Sequence, residues 1–405
     1  MGLMKLDEQR KWMLEEDEMK LFHISDLHIG KQLHYYNLKD NQVEILSQIV
    51  KKAKEYQPSV ILIAGDIYDR SVPSAEAYAI FDGFLNDLSE IKPSIPILII
   101  AGNHDSAERL NYASSFLEKH NIFISTMPPQ KDEEYLKKVT LQDEYGAVNF
   151  YLLPFVKPGY VRHLFEDGVV TSYDTAIRAL IERENINYGE RNVLISHQFY
   201  ISGEVVPETC ESEQVYISVG GIDSVDIVSV KGFDYVALGH LHGAQQIGEK
   251  HIRYSGTPLK YSTSEEKHKK SIAMVTLSDK KEDISIEQIP LLSSQDVRKI
   301  KGNIDEIISQ ATELNCHDYI SITLTDEEDI FKPKDQLEEH YDHILEIKVE
   351  NSRTRAQLEY TSGEASVLDP YEAFCEFYQE MQNVPMNEEE EKIMADVINS
   401  VKGVD

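Results

Sequence analysis

Val60-Ile61-Leu62-Ile63-Ala64-Gly65-Asp66 is the stretch whose reading decides the fold. An unbroken apolar run that halts at Gly-Asp is what a strand buried on both faces looks like, and such strands belong to parallel sheets. On either side the pattern repeats. Residues 21–24 form a short apolar run that stops at Ser25-Asp26, and residues 97–101 form another that stops at Gly102-Asn103-His104-Asp105. Between these runs, Val43, Ile45, Leu46, Ile49, Val50 and Ala53 recur at roughly helical spacing before Pro58. Pro73, Ser74 and Glu76 then read as the start of a helix reaching about Glu90. Strand, helix, strand, helix, strand predicts parallel strands joined by helical crossovers. In such sheets ligands gather at the carboxyl ends of strands.

The device recurs further along. Residues 192–196 form an apolar run that stops at His197, and residues 235–238 form one that stops at Gly239-His240-Leu241-His242, with a helical pattern near 173–184 ahead of both. From 252 to 290 the pattern is two-periodic in places, with Ile272, Met274 and Thr276 opposite Ala273, Val275 and Leu277, which predicts a second, more antiparallel sheet. The expected class is α/β (α+β), a two-sheet sandwich flanked by helices. Residues 1–18 are polar, lack the apolar core of a signal peptide, and read as a leader or an extended start. Residues 19–290 then form the principal domain. Residues 291–350 restart a small α/β pattern and read as a separate domain, and 351–369 have the composition of a linker. Two helical patterns occupy 370–405; in the second, Ile393, Met394, Val397, Ile398 and Val401 lie on one stripe.

The formal net charge of −31 restricts the partners. A protein that grips a polyanion unaided shows a basic face. Either the substrate is small, or bound cations, a local basic strip and a partner supply the missing positive charge; the sum over the chain does not describe the field at one site. Cys210, Cys316 and Cys375 are odd in number and widely spaced, which fits a reducing, cytoplasmic setting. No apolar stretch reaches the ~18–20 residues that cross a bilayer, so no membrane association is expected.

The polar islands at the strand ends supply Asp26, His28, Asp66, Asn103, His197, His240 and His242. A phosphodiester is shielded by negative oxygens and has a poor leaving group. Two divalent ions ~3.5–4 Å apart neutralise that charge and make hydroxide at neutral pH. Seven such ligands, with Asp66 as the natural bridge, match a two-ion site. Mixed imidazole, carboxylate and amide donors suit manganese, iron or zinc better than calcium. Singly, each island is weak: Gly-Asp after a strand is often only a turn, and a lone histidine is more often structural. Gly-His-x-His is stronger, because alternate strand positions face one side. Five islands, each at a strand end, carry the weight together. His104 and Asp105 exceed the ligand count and are the candidate catalytic residues, His104 to protonate the leaving oxygen and Asp105 to orient its imidazole.

These islands resemble the signature of the calcineurin-like metallophosphoesterases, D-x-H, G-D, G-N-H-D, H and G-H-x-H, over about residues 19–260. Longer stretches are similar to the SbcD family, the nuclease subunits of bacterial SbcCD complexes. They include Gly65-Asp66-Ile67-Tyr68-Asp69-Arg70, Leu153-Pro154-Phe155, the run from Phe233 to His242, and Tyr254-Ser255-Gly256-Thr257-Pro258. Residues 296–350 resemble that family's capping domain. The resemblance implies one ion held by Asp26, His28, Asp66 and His242, a second held by Asp66, Asn103, His197 and His240, and His104 in the family's catalytic histidine role. It further implies manganese-dependent DNA cleavage, by a double-strand exonuclease and single-strand or hairpin endonuclease acting in DNA repair and recombination. The implied assembly is a homodimer within a heterotetramer, with an SbcC-type ATPase that carries a long coiled coil and docks on the terminal helices. Asp69 stands where archaeal and eukaryotic relatives usually carry histidine, and Gly256-Thr257-Pro258 replaces Gly-Ser-Pro. DNA grip falls to a local strip such as Lys267, His268, Lys269 and Lys270, or to the ATPase. A phosphoesterase for small phosphodiesters or phosphoproteins shares the metal motif but gives 296–405 no role. A scaffold that kept only the fold would be free to lose its ligands, and all seven are present.

Overall fold

The computed structural model describes residues 12–13, 18–213, 224–280 and 283–352, then 354, 371, 374–375, 378–379, 386–387 and 390–394. The apolar runs become the spines of two sheets. The first has six strands in the order Ser285–Pro290, Ser271–Leu277, Met19–Ile24, Val60–Ala64, Ile97–Ile100, Ile122–Ser125. The last four run parallel, and the first two form an antiparallel hairpin added at the Met19–Ile24 edge. The second sheet has seven strands in the order Trp12–Met13, Lys137–Asp143, Gly146–Leu153, Arg191–His197, Tyr235–Gly239, Glu249–Tyr254, Gln245–Ile247. Its centre is parallel, an antiparallel hairpin lies on either side, and Trp12–Met13 adds in parallel at one edge.

Strand periodicity sorts the side chains into layers. Leu21, Leu62, Leu98 and Ile100 of the first sheet meet Val148, Phe150, Val193, Ile195 and Ala237 of the second in one buried layer. The alternate residues Phe22, Ile61, Ile63, Ile97 and Ile99 turn to the other face, against Ile45, Ile49 and Ala53 of helix Lys39–Tyr56 and Phe81, Phe84 and Leu88 of helix Ala75–Ser89. Tyr151, Leu194, Val236 and Leu238 do the same on the second sheet, against Ala176, Ile177 and Leu180 of helix Tyr173–Arg183. The outcome is a sandwich of two sheets with helices on both outer faces, as the class expectation had it. Because both faces of the central strands are covered, their sequences read as continuous apolar runs. Helix Ala75–Ser89 opens on Ser74, whose hydroxyl accepts from the Ala77 amide at 3.1 Å.

One expectation needs correction. The two-periodic region after 252 does not build a separate antiparallel sheet: Ser271–Leu277 and Ser285–Pro290 join the first sheet, while the second sheet is assembled mainly from 137–153, 191–197 and 235–254. Alternation reports that a strand has two unlike environments; it does not say which sheet edge the strand pairs with.

A three-stranded sheet, Val297–Gly302, Tyr319–Leu324 and His343–Val349, is accompanied by the short helices Ile304–Ser309 and Pro333–Glu338. The chain divides into two compact units, one running to Ile300 with Gln310–Ile322 and Lys334–Glu346, the other comprising Lys301–Ser309, Thr323–Pro333 and the described residues from Ile347 onward. Within the first unit, the Asn41 amide donates to Gln295 Oε1 at 2.9 Å and the Tyr319 hydroxyl donates to Asn41 Oδ1 at 3.0 Å. In the expected leader, Trp12 and Met13 pair in parallel with Leu141 and Gln142; apart from these and Glu18, residues 1–18 lie outside the described residues. So does the expected linker 351–369 beyond 351, 352 and 354. Of the terminal pair, 371, 374–375, 378–379 and 390–394 are helical, whereas Val397, Ile398 and Val401 of the stripe lie outside. No helix among the described residues is long and apolar enough to cross a membrane.

Candidate metal centre

All five islands meet where the carboxyl ends of both sheets converge. Asp26 and His28 follow strand Met19–Ile24, Asp66 follows Val60–Ala64, Asn103 follows Ile97–Ile100, His197 ends Arg191–His197, and His240 and His242 follow Tyr235–Gly239. The two sheets are tied together at this point by the His197 Nδ1–H, which donates to the Ala64 carbonyl at 2.7 Å and leaves Nε2 facing the site.

The seven candidate ligands crowd together in two overlapping groups: Asp26 lies with His28 and His242 and also with Asp66 and His197. In the first, one ligand atom each from Asp26, His28 and His242 lie within 4.8 Å of one another, the Nε2 atoms of His28 and His242 face each other at 3.1 Å, and His28 Nε2 is 3.7 Å from Asp66 Oδ2. In the second, His197 Nε2 is 3.3 Å from Asp66 Oδ2 and 3.1 Å from Asn103 Oδ1, and His240 Nδ1 is 2.9 Å from the same amide oxygen.

Backbone and electrostatics both mark the site as specialised. Asp26, His28, Asp66 and His240 adopt φ of 53°, 42°, 51° and 105°, a left-handed backbone that costs of order 1–3 kcal/mol per non-glycine residue and persists only where surroundings enforce it. Two glycines provide clearance: a Cβ on Gly102 would lie 2.1 Å from Asp66 Oδ1, and one on Gly239 would lie 1.9 Å from the Ala64 carbonyl oxygen. Asp26 and Asp66 are buried, and among the described residues no Lys or Arg lies within 4.0 Å of either carboxylate. Burial pushes Asp26 up to about 6 against the pull of His197. Burial also opposes ionisation of Asp66, but the surrounding His197, His28 and His104 outweigh it and hold that carboxyl well below the usual range. His197 is the converse: burial disfavours its charge, yet Asp66 and Asp26 raise it to about 9. Burial, then His197, lowers His240 to about 3. Buried carboxylates balanced by imidazoles, with facing ring nitrogens and a His28 Nδ1 that makes no hydrogen bond and lies 3.9 Å from Asp69 Oδ1, fit a site that takes cations.

His104 lies beside the ligands, whereas Asp105 takes a different place from the one expected. The His104 amide donates to Asp66 Oδ1 at 2.9 Å and its Nδ1–H donates to the Asp69 carbonyl at 2.8 Å, so that Nε2 points inward, 4.0 Å from Asp66 Oδ2. Asp105 does not orient this ring. Its carboxylate accepts the backbone N–H groups of Gly102, Ile67 and Tyr68 at 2.9, 3.1 and 3.1 Å, tying the Gly-Asp loop to the Gly-Asn-His-Asp loop. A carboxylate next in sequence to a histidine points elsewhere when the turn offers it three unpaired donors.

A profile of the calcineurin-like phosphoesterases matches residues 19–244, and one described as the type 5 capsule protein repressor C-terminal domain matches 293–382. SbcD of the nuclease SbcCD from Staphylococcus epidermidis is 33% identical over 332 residues, 81% of this chain and 85% of that protein. The chain belongs to the SbcD family of calcineurin-like phosphoesterases. Among solved structures it overlaps a dimetal phosphatase from Danio rerio at a TM-score of 0.39, 12% identity, 69% of this chain and 98% of that one. It overlaps GAP50, the anchor in the inner membrane complex of Plasmodium, at 0.38, 13% identity, 69% and 90%. The phosphoesterase fold of the SbcD family is that of divalent-metal enzymes, and the two groups around Asp66 are this chain's candidate ligands.

Several residues around the site have contacts that the sequence did not reveal. Asp69 receives Lys31 Nζ at 2.8 Å beside the first group. Gln42 donates to the His28 carbonyl at 2.8 Å, and the Tyr261 hydroxyl donates to the Leu27 carbonyl. Glu265 and Lys270 are buried within the charged run Glu265-Glu266-Lys267-His268-Lys269-Lys270, which reads as solvated throughout. Lys270 therefore leaves the expected basic strip: its ammonium is spent on Glu265, Thr257 and the His242 carbonyl.

Proposed function

We propose that this chain is a manganese-dependent DNA nuclease, both a double-strand exonuclease and a single-strand or hairpin endonuclease, that processes DNA ends together with an SbcC-type coiled-coil ATPase. The observation that carries the reading is the convergence of seven side chains on one centre, where buried Asp66 Oδ2 lies 3.7 Å from His28 Nε2 and 3.3 Å from His197 Nε2. Asp26, His28, Asp66 and His242 would hold one ion and Asp66, Asn103, His197 and His240 the other; the nitrogen and oxygen donor set supports manganese. When bound, such ions neutralise phosphate charge and make hydroxide available at neutral pH.

The remaining work falls to the protein. With Nδ1–H fixed on the Asp69 carbonyl, His104 presents Nε2 to the centre, where it holds the proton that the leaving oxygen requires. Asp105 acts on the reaction only through the two loops it joins. Lys267 and Lys269, both exposed, are the members of the basic strip free to meet phosphates. Residues 291–350 act as a capping domain and 370–405 dock the ATPase, in a heterotetramer built on a homodimer of this chain in the cytoplasm. A net charge of −31 supports dependence on that partner for grip on DNA.

Hydrolysis of linear duplex DNA, hairpin DNA and a small chromogenic phosphodiester with manganese separates this reading from a small-ester phosphoesterase. Cleavage of both DNAs is expected; turnover of the small ester alone refutes the nuclease.

A further inference from the structure

We propose that Glu265 and Lys270 are positioning residues that set the ring and the backbone of His242, and thereby the strength of one of the two metal positions. The inference rests on the two-ion reading of the centre. His242 has one nitrogen on each side of the question. Its Nε2 faces His28 in the first ligand group, and its Nδ1 lies 2.7 Å from Ser212 Oγ, which donates to Glu265 Oε1 at 2.6 Å. Only a ring with its hydrogen on Nδ1 keeps a lone pair at Nε2 for a cation. An acceptor chain ending in a carboxylate selects that tautomer and makes the ring more basic.

Glu265 is fully buried, and its second oxygen receives Lys270 Nζ at 2.5 Å. The same ammonium donates to the His242 carbonyl at 3.0 Å and to Thr257 Oγ1 at 2.6 Å. One ion pair thus holds the histidine twice, by its ring through Ser212 and by its main chain directly. A buried pair is a poor way to gain stability, since apolar residues of equal volume commonly serve as well or better. What the pair supplies here that apolar residues cannot is a fixed acceptor behind Nδ1, besides the acceptor that Glu265 gives the Tyr261 amide at 3.0 Å. The brace is one-sided. The second group is held otherwise, with His197 on the Ala64 carbonyl and the His240 amide on Asp26 Oδ1 at 3.0 Å. Loss of the brace is therefore expected to weaken one ion and spare the other.

The test is a manganese titration of the full chain, with free Mn²⁺ followed by electron paramagnetic resonance and folding checked by thermal melting. The unaltered chain is expected to bind two ions; fewer than two refutes the two-ion reading itself. Ser212→Ala and Glu265→Gln are each expected to weaken one ion about 10–100-fold and leave the other unchanged. The pair replacement Glu265→Gln with Lys270→Met removes both charges at once while keeping an acceptor for the Tyr261 amide, and guards against a variant that merely fails to fold. It is expected to melt near the parent temperature while still binding one ion weakly. Parent-like affinity for both ions in folded Ser212→Ala and in the folded pair replacement, or equal weakening of both ions, overturns the inference.

Discussion

At the scale of single residues, the site is defined by which atom each side chain turns to the centre. His104 is bonded to Asp69 through Nδ1 and contributes no ligand atom to either group. His104→Asn is thus expected to keep manganese binding and lose about 10²–10⁴-fold in turnover, the usual worth of a general acid. Full turnover at normal metal content excludes that role. Asp105 is a different kind of residue. Asp105→Ala strands three buried N–H groups at about 1–3 kcal/mol each, so urea unfolding is expected to show a loss of at least about 3 kcal/mol. Asp26, His28, Asp66, Asn103, His197, His240 and His242 were legible because each sits at the end of an apolar run, where the fold's chemistry collects. The left-handed backbone at Asp26, His28, Asp66 and His240 was not, since residue type does not reveal strain that surroundings impose. Glu265 and Lys270 were hidden for a related reason: a charged run shows its charge, not its burial.

At the scale of elements, the two sheets are joined by a buried polar pair as well as by apolar packing. His23 of strand Met19–Ile24 accepts at Nδ1 from the Tyr235 hydroxyl at 2.8 Å and donates from Nε2 to the Leu238 carbonyl at 3.1 Å, both in the second sheet. Burial, with Arg253 adding to it, lowers His23 from 6.5 to about 3. The folded pKa is below the unfolded one, so the unfolded chain binds more protons between those values. The stabilisation is complete above about pH 6.5 and declines toward pH 3 by up to ~1.4 kcal/mol per pH unit. His23→Gln keeps an acceptor and a donor without titrating, and is expected to flatten that limb of the stability profile; an unchanged limb refutes the assignment. The parallel strands and their helices were legible from run length and from punctuation by Gly-Asp, Pro and Ser. The partner of the Ser271–Leu277 hairpin was not, because pairing across about 250 residues of chain leaves no mark on local periodicity.

At the scale of the whole molecule, the acidic balance and the polyanionic substrate class are reconciled by placement. The buried carboxylates of the centre face inward, where cations would sit, and exposed Lys267 and Lys269 lie outside it. Neutralising both lysines is expected to lower the slope of log affinity for duplex DNA against log salt by about 2, at ~0.9 per phosphate contact; a slope that does not move places DNA elsewhere. The small α/β pattern from 291 was read from periodicity, while most of 370–405 lies outside the described residues. Everything proposed for catalysis depends on two ions astride Asp66. Anomalous scattering from crystals grown with manganese reads this directly. Two peaks ~3.5–4 Å apart, one against His28 and His242 and one against Asn103, His197 and His240, are expected, and a single peak, or a pair that does not share Asp66, would contradict the two-ion centre.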